Sequence, residues 1–149
     1  MVTPCALLRR RARISRLLGD DASDLRFLWR TLQPGMTFFD IGANEGVYSV
    51  VAAAKLAGAG SVVAFEPCPR HYNRLRLNLR WNWASNARTE RLAIGAATGR
   101  TVFFEVEKGD TSRNGLRPPS IRDPLKNITV ESMSLDDYVA LRGFHAWTL

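Results

Sequence analysis

Apolar and polar positions along the chain switch repeatedly between helical and extended periods. From about Ser23 to Leu32, Leu25, Leu28 and Trp29 share one side of a 3.6-residue helix, which Pro34 and Gly35 end. Thr37 to Asp40 is a β-branched and aromatic run that closes on an acid, as a central strand does when it reaches a sheet edge. Val47 to Leu56 returns to helical spacing, and Ser61 to Phe65 (S-V-V-A-F) is a second buried strand, ended by Glu66. Pro69 suits the first turn of the next helix, where its missing N–H costs nothing. That helix reaches about Trp83. Tyr72, Leu75, Leu79 and Trp83 recur at three- and four-residue intervals and face the sheet, leaving Arg70, Arg74, Arg76 and Arg80 in solvent. Thr89 to Ile94 reads as a third strand, Thr101 to Glu107 as an alternating one, and Ile128 to Met133 as extended again. Between the last two, Gly109 to Asp123 is rich in Gly, Pro, Ser and Arg and reads as a long mobile loop.

Strands alternating with helices predict an α/β fold, a parallel sheet with flanking helices plus an antiparallel strand pair. The right-handed crossover rule orders it as the antiparallel pair, then strand three, strand two and strand one. Strand one is then an edge. Its apolar residues Phe38, Phe39 and Ile41 make it a place for self-association, with Phe144 to Leu149 as a partial cover. The 149 residues, 46% of them hydrophobic, suffice for one core. They divide into a basic N-terminal segment, 1–22, and a domain, 23–149. No run approaches the roughly 20 apolar residues of a membrane span. Met1 to Leu8 lacks the length and cleavage pattern of a signal peptide, and a cytoplasmic protein is expected.

The candidate chemistry lies where the first strand meets the first turn, in T-F-F-D-I-G-A-N-E-G, Thr37 to Gly46. Gly42 and Gly46 bracket a tight turn in which Asn44 can adopt a left-handed conformation, and the helix that follows points free N–H groups at the mouth of the turn. The acid Asp40 selects the ligand. A dinucleotide fold uses G-x-G-x-x-G to seat a pyrophosphate, but here the spacing is Gly42-x-Asn44-x-Gly46 and a carboxylate precedes it. Phosphate is repelled, which disfavours a nicotinamide-dinucleotide dehydrogenase. S-adenosylmethionine, with its sulfonium, ammonium, ribose and no phosphate, fits. Glu66 ends the next strand 24 residues beyond Gly42, near the roughly 20-residue offset at which a strand-end acid takes ribose hydroxyls.

These residues resemble the FkbM-type branch of the class I S-adenosylmethionine-dependent methyltransferases. The resemblance rests on F-F-D-I-G-A-N-E-G-V-Y-S (Phe38 to Ser49), V-V-A-F-E-P-C-P (Val62 to Pro69), L-x-L-N-L-x-x-N (Leu75 to Asn82), L-A-I-G (Leu92 to Gly95) and V-E-S-M-S-L-D-D-Y (Val130 to Tyr138). It implies a Rossmann-like class I methyltransferase sheet. Asp40, Gly42, Ala43, Asn44 and Gly46 would form the methionine-side loop, Glu66 would hold the ribose, and Leu92 and Ala93 would lie near the adenine. It also implies an oxygen acceptor on a small molecule, sugar or lipid-like substrate. In such proteins L-D-D-Y is soon followed by a further buried, acid-ended strand. Here V-A-L-R-G-F-H-A-W-T-L follows, so the expectation is a domain incomplete in its C-terminal half and short of its acceptor pocket, with no catalytic residue assigned and turnover in doubt. Asp136 and Asp137 suit a helix start.

Net charge and cysteine content alter this picture little. The charge of +7 comes mainly from arginine, with Arg9, Arg10, Arg11, Arg13 and Arg16 near the start. The alternative reading built on them is a non-catalytic nucleic-acid-binding module making phosphate contacts; a solvated helix face outweighs it. Cys5 and Cys68 lie far apart and are read as free thiols, suggesting neither a disulfide framework nor a zinc site, so no metal is expected. His71 and His145 are read as surface or packing residues.

Overall fold

The computed structural model describes residues 23–106, 114–118 and 124–143. The chain runs α1 (Ser23–Thr31), β1 (Thr37–Ile41), α2 (Val47–Lys55), β2 (Ser61–Phe65), α3 (Pro69–Trp81), β3 (Ala87–Glu90), β4 (Ala93–Ile94), β5 (Gly99–Val106), β6 (Leu125–Met133) and α4 (Leu135–Arg142). The basic segment 1–22 and the expected cover over strand one, Phe144 to Leu149, lie outside the described residues. Among those described, no helix is long and apolar enough to cross a membrane.

β1, β2 and β3 form a parallel sheet in that order, with Asp40 opposite Ala64 and Phe65 opposite Glu90. From Val62 on, β2 is apolar because both of its faces are covered. Val62 and Ala64 join the core under α1, α2 and α3, with Leu25, Val51, Leu56 and Leu75. Val63 and Phe65 point the other way, onto Tyr138 of α4, whose ring meets Phe65 edge-on at 4.8 Å between centroids. The Tyr138 hydroxyl donates to Glu90 Oε1 at 2.9 Å, tying α4 to the end of β3.

The expected third strand is two strands. β2 ends at Phe65, so the chain after Glu90 runs out of partner, and Arg91 and Leu92 break the ladder. Ala93 and Ile94 then pair in parallel with Ser132 and Met133 of β6, which pairs antiparallel with β5. The expected succession therefore survives as two sheets, β1-β2-β3 and β4-β6-β5. Among the described strands β1 pairs only with β2, which makes it an edge, and Ile41 is half exposed.

One helix end differs from expectation and another agrees with it. α3 stops at Trp81, and Trp83 adopts a left-handed φ of 52° that swings its ring outward, 43% exposed, while Ala84 takes the buried place. Trp83 therefore does not face the sheet, whereas Leu75 and Leu79 do. α4 starts where Ser134 Oγ accepts the Asp137 N–H at 3.0 Å, with Asp136 and Asp137 in the first turn, where the helix dipole favours acids.

Candidate functional site

The turn after β1 is held to the end of β2. Gly42 N–H and Ala43 N–H both donate to the Phe65 carbonyl, at 3.0 and 2.9 Å, and Gly46 N–H donates to the Ala43 carbonyl at 2.7 Å. Gly42, Asn44 and Gly46 have φ of 78°, 51° and 89°, so the turn needs the glycines and bends at the one asparagine that tolerates it. A Cβ on Gly46 would lie 2.5 Å from Leu75 Cδ1, which shows how closely α3 approaches here. The N–H groups of Gly42, Ala43, Asn44 and Gly46 all have acceptors within the protein, contrary to the expectation of free donors at the turn. A phosphate would find none of those four available.

Their arrangement depends on the two strand-end acids. Glu66, 4% exposed, accepts the Asn44 N–H on Oε2 at 2.8 Å and the Cys68 N–H on Oε1 at 2.9 Å, bridging the turn to the start of α3. Asp40, 9% exposed, accepts the Ser49 hydroxyl. Gly46 offers α2 no side-chain cap, and the Ser49 hydroxyl in its first turn ties the helix to Asp40 on the neighbouring strand. Burial raises both carboxyls above their ordinary range, partly offset at Asp40 by the Ser49 hydroxyl and at Glu66 by the Cys68 and Asn44 N–H bonds. The charge on Asp40 raises Glu66 further, so the two acids are electrostatically linked.

Above this corner lies a cleft of about 390 Å³, a size suited to a small ligand. Gly42, Ala43, Asn44, Glu66 and Ala93 line it, as do Leu92 and Ile94. Asp40 and Gly46 do not, and Asp40 acts there through its charge on Glu66. Asn44 Oδ1 is buried with no hydrogen-bond partner, an acceptor left over in a residue that lines the cleft. Asp136 and Asp137 are absent from the lining, and Asp137 Oδ2 accepts from Thr98 Oγ1 at 2.6 Å instead.

Part of the cleft comes from residues of the expected loop between Gly109 and Asp123. Phe104 and Gly115 exchange backbone hydrogen bonds of 2.8 and 3.1 Å, and Asn114 Oδ1 accepts the Val106 N–H at 2.8 Å. This adds Asn114, Gly115 and Leu116 to the residues that line the cleft with Asn44 and Glu66. Only the asparagine-glycine pair hinted at such a turn.

A second cluster lies beside the first. Cys68, His71 and Glu105 bring one donor atom each to within 4.8 Å of one another. His71 is a buried residue rather than a surface one, and burial pushes its imidazole below the ordinary range, against the pull of Glu45. The Cys-x-x-His spacing was visible in the chain; Glu105 was not, because β5 carries it in from elsewhere.

Strand-end acids flanking a glycine turn on a parallel sheet with helices define a Rossmann-like fold of the class I methyltransferase type. The methyltransferase FkbM domain model matches residues 40–145, and the chain belongs to that family of S-adenosylmethionine-dependent methyltransferases. Among curated proteins, ribosomal protein L11 methyltransferase of Bacillus cereus (strain Q1) is 47% identical over 58 residues, 39% of this chain and 18% of that protein. The counterpart from Bacillus anthracis (strain A0248) is 45% identical over 58 residues with the same coverage. The match thus spans less than a fifth of the length of these relatives. Among solved structures, the methyltransferase FkbM of Methylobacillus flagellatus KT aligns with 72% of this chain and 24% of its own, at 19% identity and TM-score 0.43. A SAM-dependent O-methyltransferase of Thermotoga maritima aligns with 74% of this chain and 64% of its own, at 14% identity and TM-score 0.42.

Proposed function

We propose that the chain binds S-adenosylmethionine in the cleft between the Gly42–Gly46 turn and Glu66, and that it serves methyl transfer to an oxygen of a small-molecule, sugar or lipid-like acceptor. The observation that carries this reading is the buried Glu66 carboxylate, held by two backbone N–H groups, at the wall of a cleft that Asn44, with its unpartnered Oδ1, also lines. Each Glu66 oxygen accepts one bond from the backbone and retains a lone pair for a ribose hydroxyl. Asn44 Oδ1 accepts from an amine or hydroxyl of the ligand. Leu92 and Ala93 offer an apolar surface to the base. Asp40, fixed on Ser49, contributes a buried negative charge that a cationic ligand relieves and a phosphate aggravates.

The bound cofactor would supply an electrophilic methyl group, and the protein's part would be to orient it and exclude water. The oxygen acceptor is inferred from the family resemblance. The relatives named for ribosomal protein L11 share only a 58-residue stretch with this chain.

Isothermal titration of the full chain with S-adenosylmethionine and its demethylated product, at low and high salt, tests the proposal. The expected result is one site whose affinity barely changes with ionic strength. Absence of binding at millimolar ligand by folded protein would reject it. Binding of nucleic acid that weakens steeply with salt, with no cofactor bound, would favour the basic-module alternative instead.

A further inference from the structure

Cys68, His71 and Glu105 carry chemistry that the proposed cofactor site does not use. Cys68 is the N-cap residue of α3 and His71 lies three residues on, so both side chains project from one side of the first helical turn. β5 brings Glu105 against them, its Oε1 3.3 Å from Cys68 Sγ. Both nitrogens of His71 are buried and without hydrogen-bond partners, although the residue is only 1% exposed. Nδ1 has the Glu45 carboxylate at 4.0 Å, too far for a hydrogen bond, and a buried imidazole so placed is costly unless something else meets it.

We infer that Cys68, His71 and Glu105 form a binding site for a thiophilic divalent cation of the zinc class, independent of the cofactor cleft. The donor set is one thiolate, one imidazole and one carboxylate, the mixture that suits zinc rather than magnesium or calcium. A thiolate and a carboxylate together neutralise a divalent cation, which permits burial. In a tetrahedral site with bonds of 2.0–2.3 Å the donors stand about 3.4–3.6 Å apart. The three donor atoms already lie within 4.8 Å of one another, so closure needs shifts of about 1 Å. Glu105 is only partly buried, which gives the ion a way in and leaves a fourth position for water or another ligand. A bound ion would pin β5 to the start of α3, next to the Cys68 N–H that holds Glu66.

The test is titration of Co²⁺ into reduced, chelator-treated full-length protein, followed by absorption spectroscopy. One equivalent is expected to produce thiolate-to-cobalt charge-transfer bands and intense tetrahedral visible bands, both removed by Zn²⁺. Cys68→Ser should abolish the charge-transfer bands, His71→Ala and Glu105→Gln should each weaken binding at least about tenfold, and Cys5→Ser should change nothing. Circular dichroism of each variant separates loss of the site from loss of the fold. If Glu105→Gln, a near-isosteric change at a partly exposed position, folds normally and binds as the parent does, the inference fails. It also fails if the bands are absent, survive Cys68→Ser or depend on Cys5.

Discussion

Replacing Gly46 by alanine separates backbone strain from packing at the corner that shapes the cleft. Gly46 and Gly35 share a φ of 89°, but a Cβ on Gly35 meets nothing within 4 Å, whereas on Gly46 it meets Leu75 Cδ1 at 2.5 Å. The left-handed backbone costs a non-glycine residue about 1–2 kcal/mol at either site. At Gly46 the clash adds about 1–2 kcal/mol, because Leu75 is fully buried and can yield only by disturbing the core between α2 and α3. Gly35→Ala should therefore cost about 1–2 kcal/mol and Gly46→Ala about 2–4 kcal/mol in urea unfolding. Leu75→Ala is expensive alone, about 2–5 kcal/mol, but removes the atom that clashes. In the double variant the added cost of Gly46→Ala should fall to the Gly35 level, a coupling of about 1–2 kcal/mol. Equal losses at Gly35 and Gly46, or no coupling with Leu75, would refute this reasoning.

Three further outcomes follow from the site. Glu66→Ala should weaken S-adenosylmethionine binding by about 3 kcal/mol, roughly 100-fold by calorimetry, since it removes the acceptor for the ligand and frees the Asn44 and Cys68 N–H groups. Asp40→Asn removes a buried charge. Its carboxyl is raised above 3.8 in the folded protein, so its favourable contribution is complete below that value and lost as pH rises through the raised one. The apo variant should therefore melt higher than the parent near pH 7, with the difference shrinking towards pH 4, while its affinity for the cationic ligand falls. Binding of that ligand should also release protons wherever Asp40 and Glu66 are partly protonated, measurable as a dependence of the binding heat on buffer ionisation enthalpy.

Local pattern and chemistry made the front of the domain readable. The apolar run into Asp40, the Gly42-x-Asn44-x-Gly46 turn and the acid closing the second strand each follow from short-range rules, and the corner carries them as expected. What local reasoning misjudged was settled by distant partners. Whether the chain from Thr89 to Ile94 is one strand or two depends on where β2 ends. Trp83 fitted a helical face, yet the helix closes two residues before it. The Asn114–Leu116 wall and the approach of Glu105 to Cys68 both arise from β5, tens of residues away or across a loop that composition marked only as mobile. Asp40 closes the first strand, but its partner is the Ser49 hydroxyl of the following helix, a bond its position in a strand did not announce.

The central claim is that the buried Glu66 carboxylate and the Asn44 turn form a single ligand surface. Backbone-amide NMR of the full chain, titrated with the demethylated product of S-adenosylmethionine, reads this residue by residue. The account predicts the largest shifts at Asn44, Glu66 and Ala93, with Gly115 moving as well. Saturable shifts confined to other parts of the protein, with those amides unmoved, would contradict it.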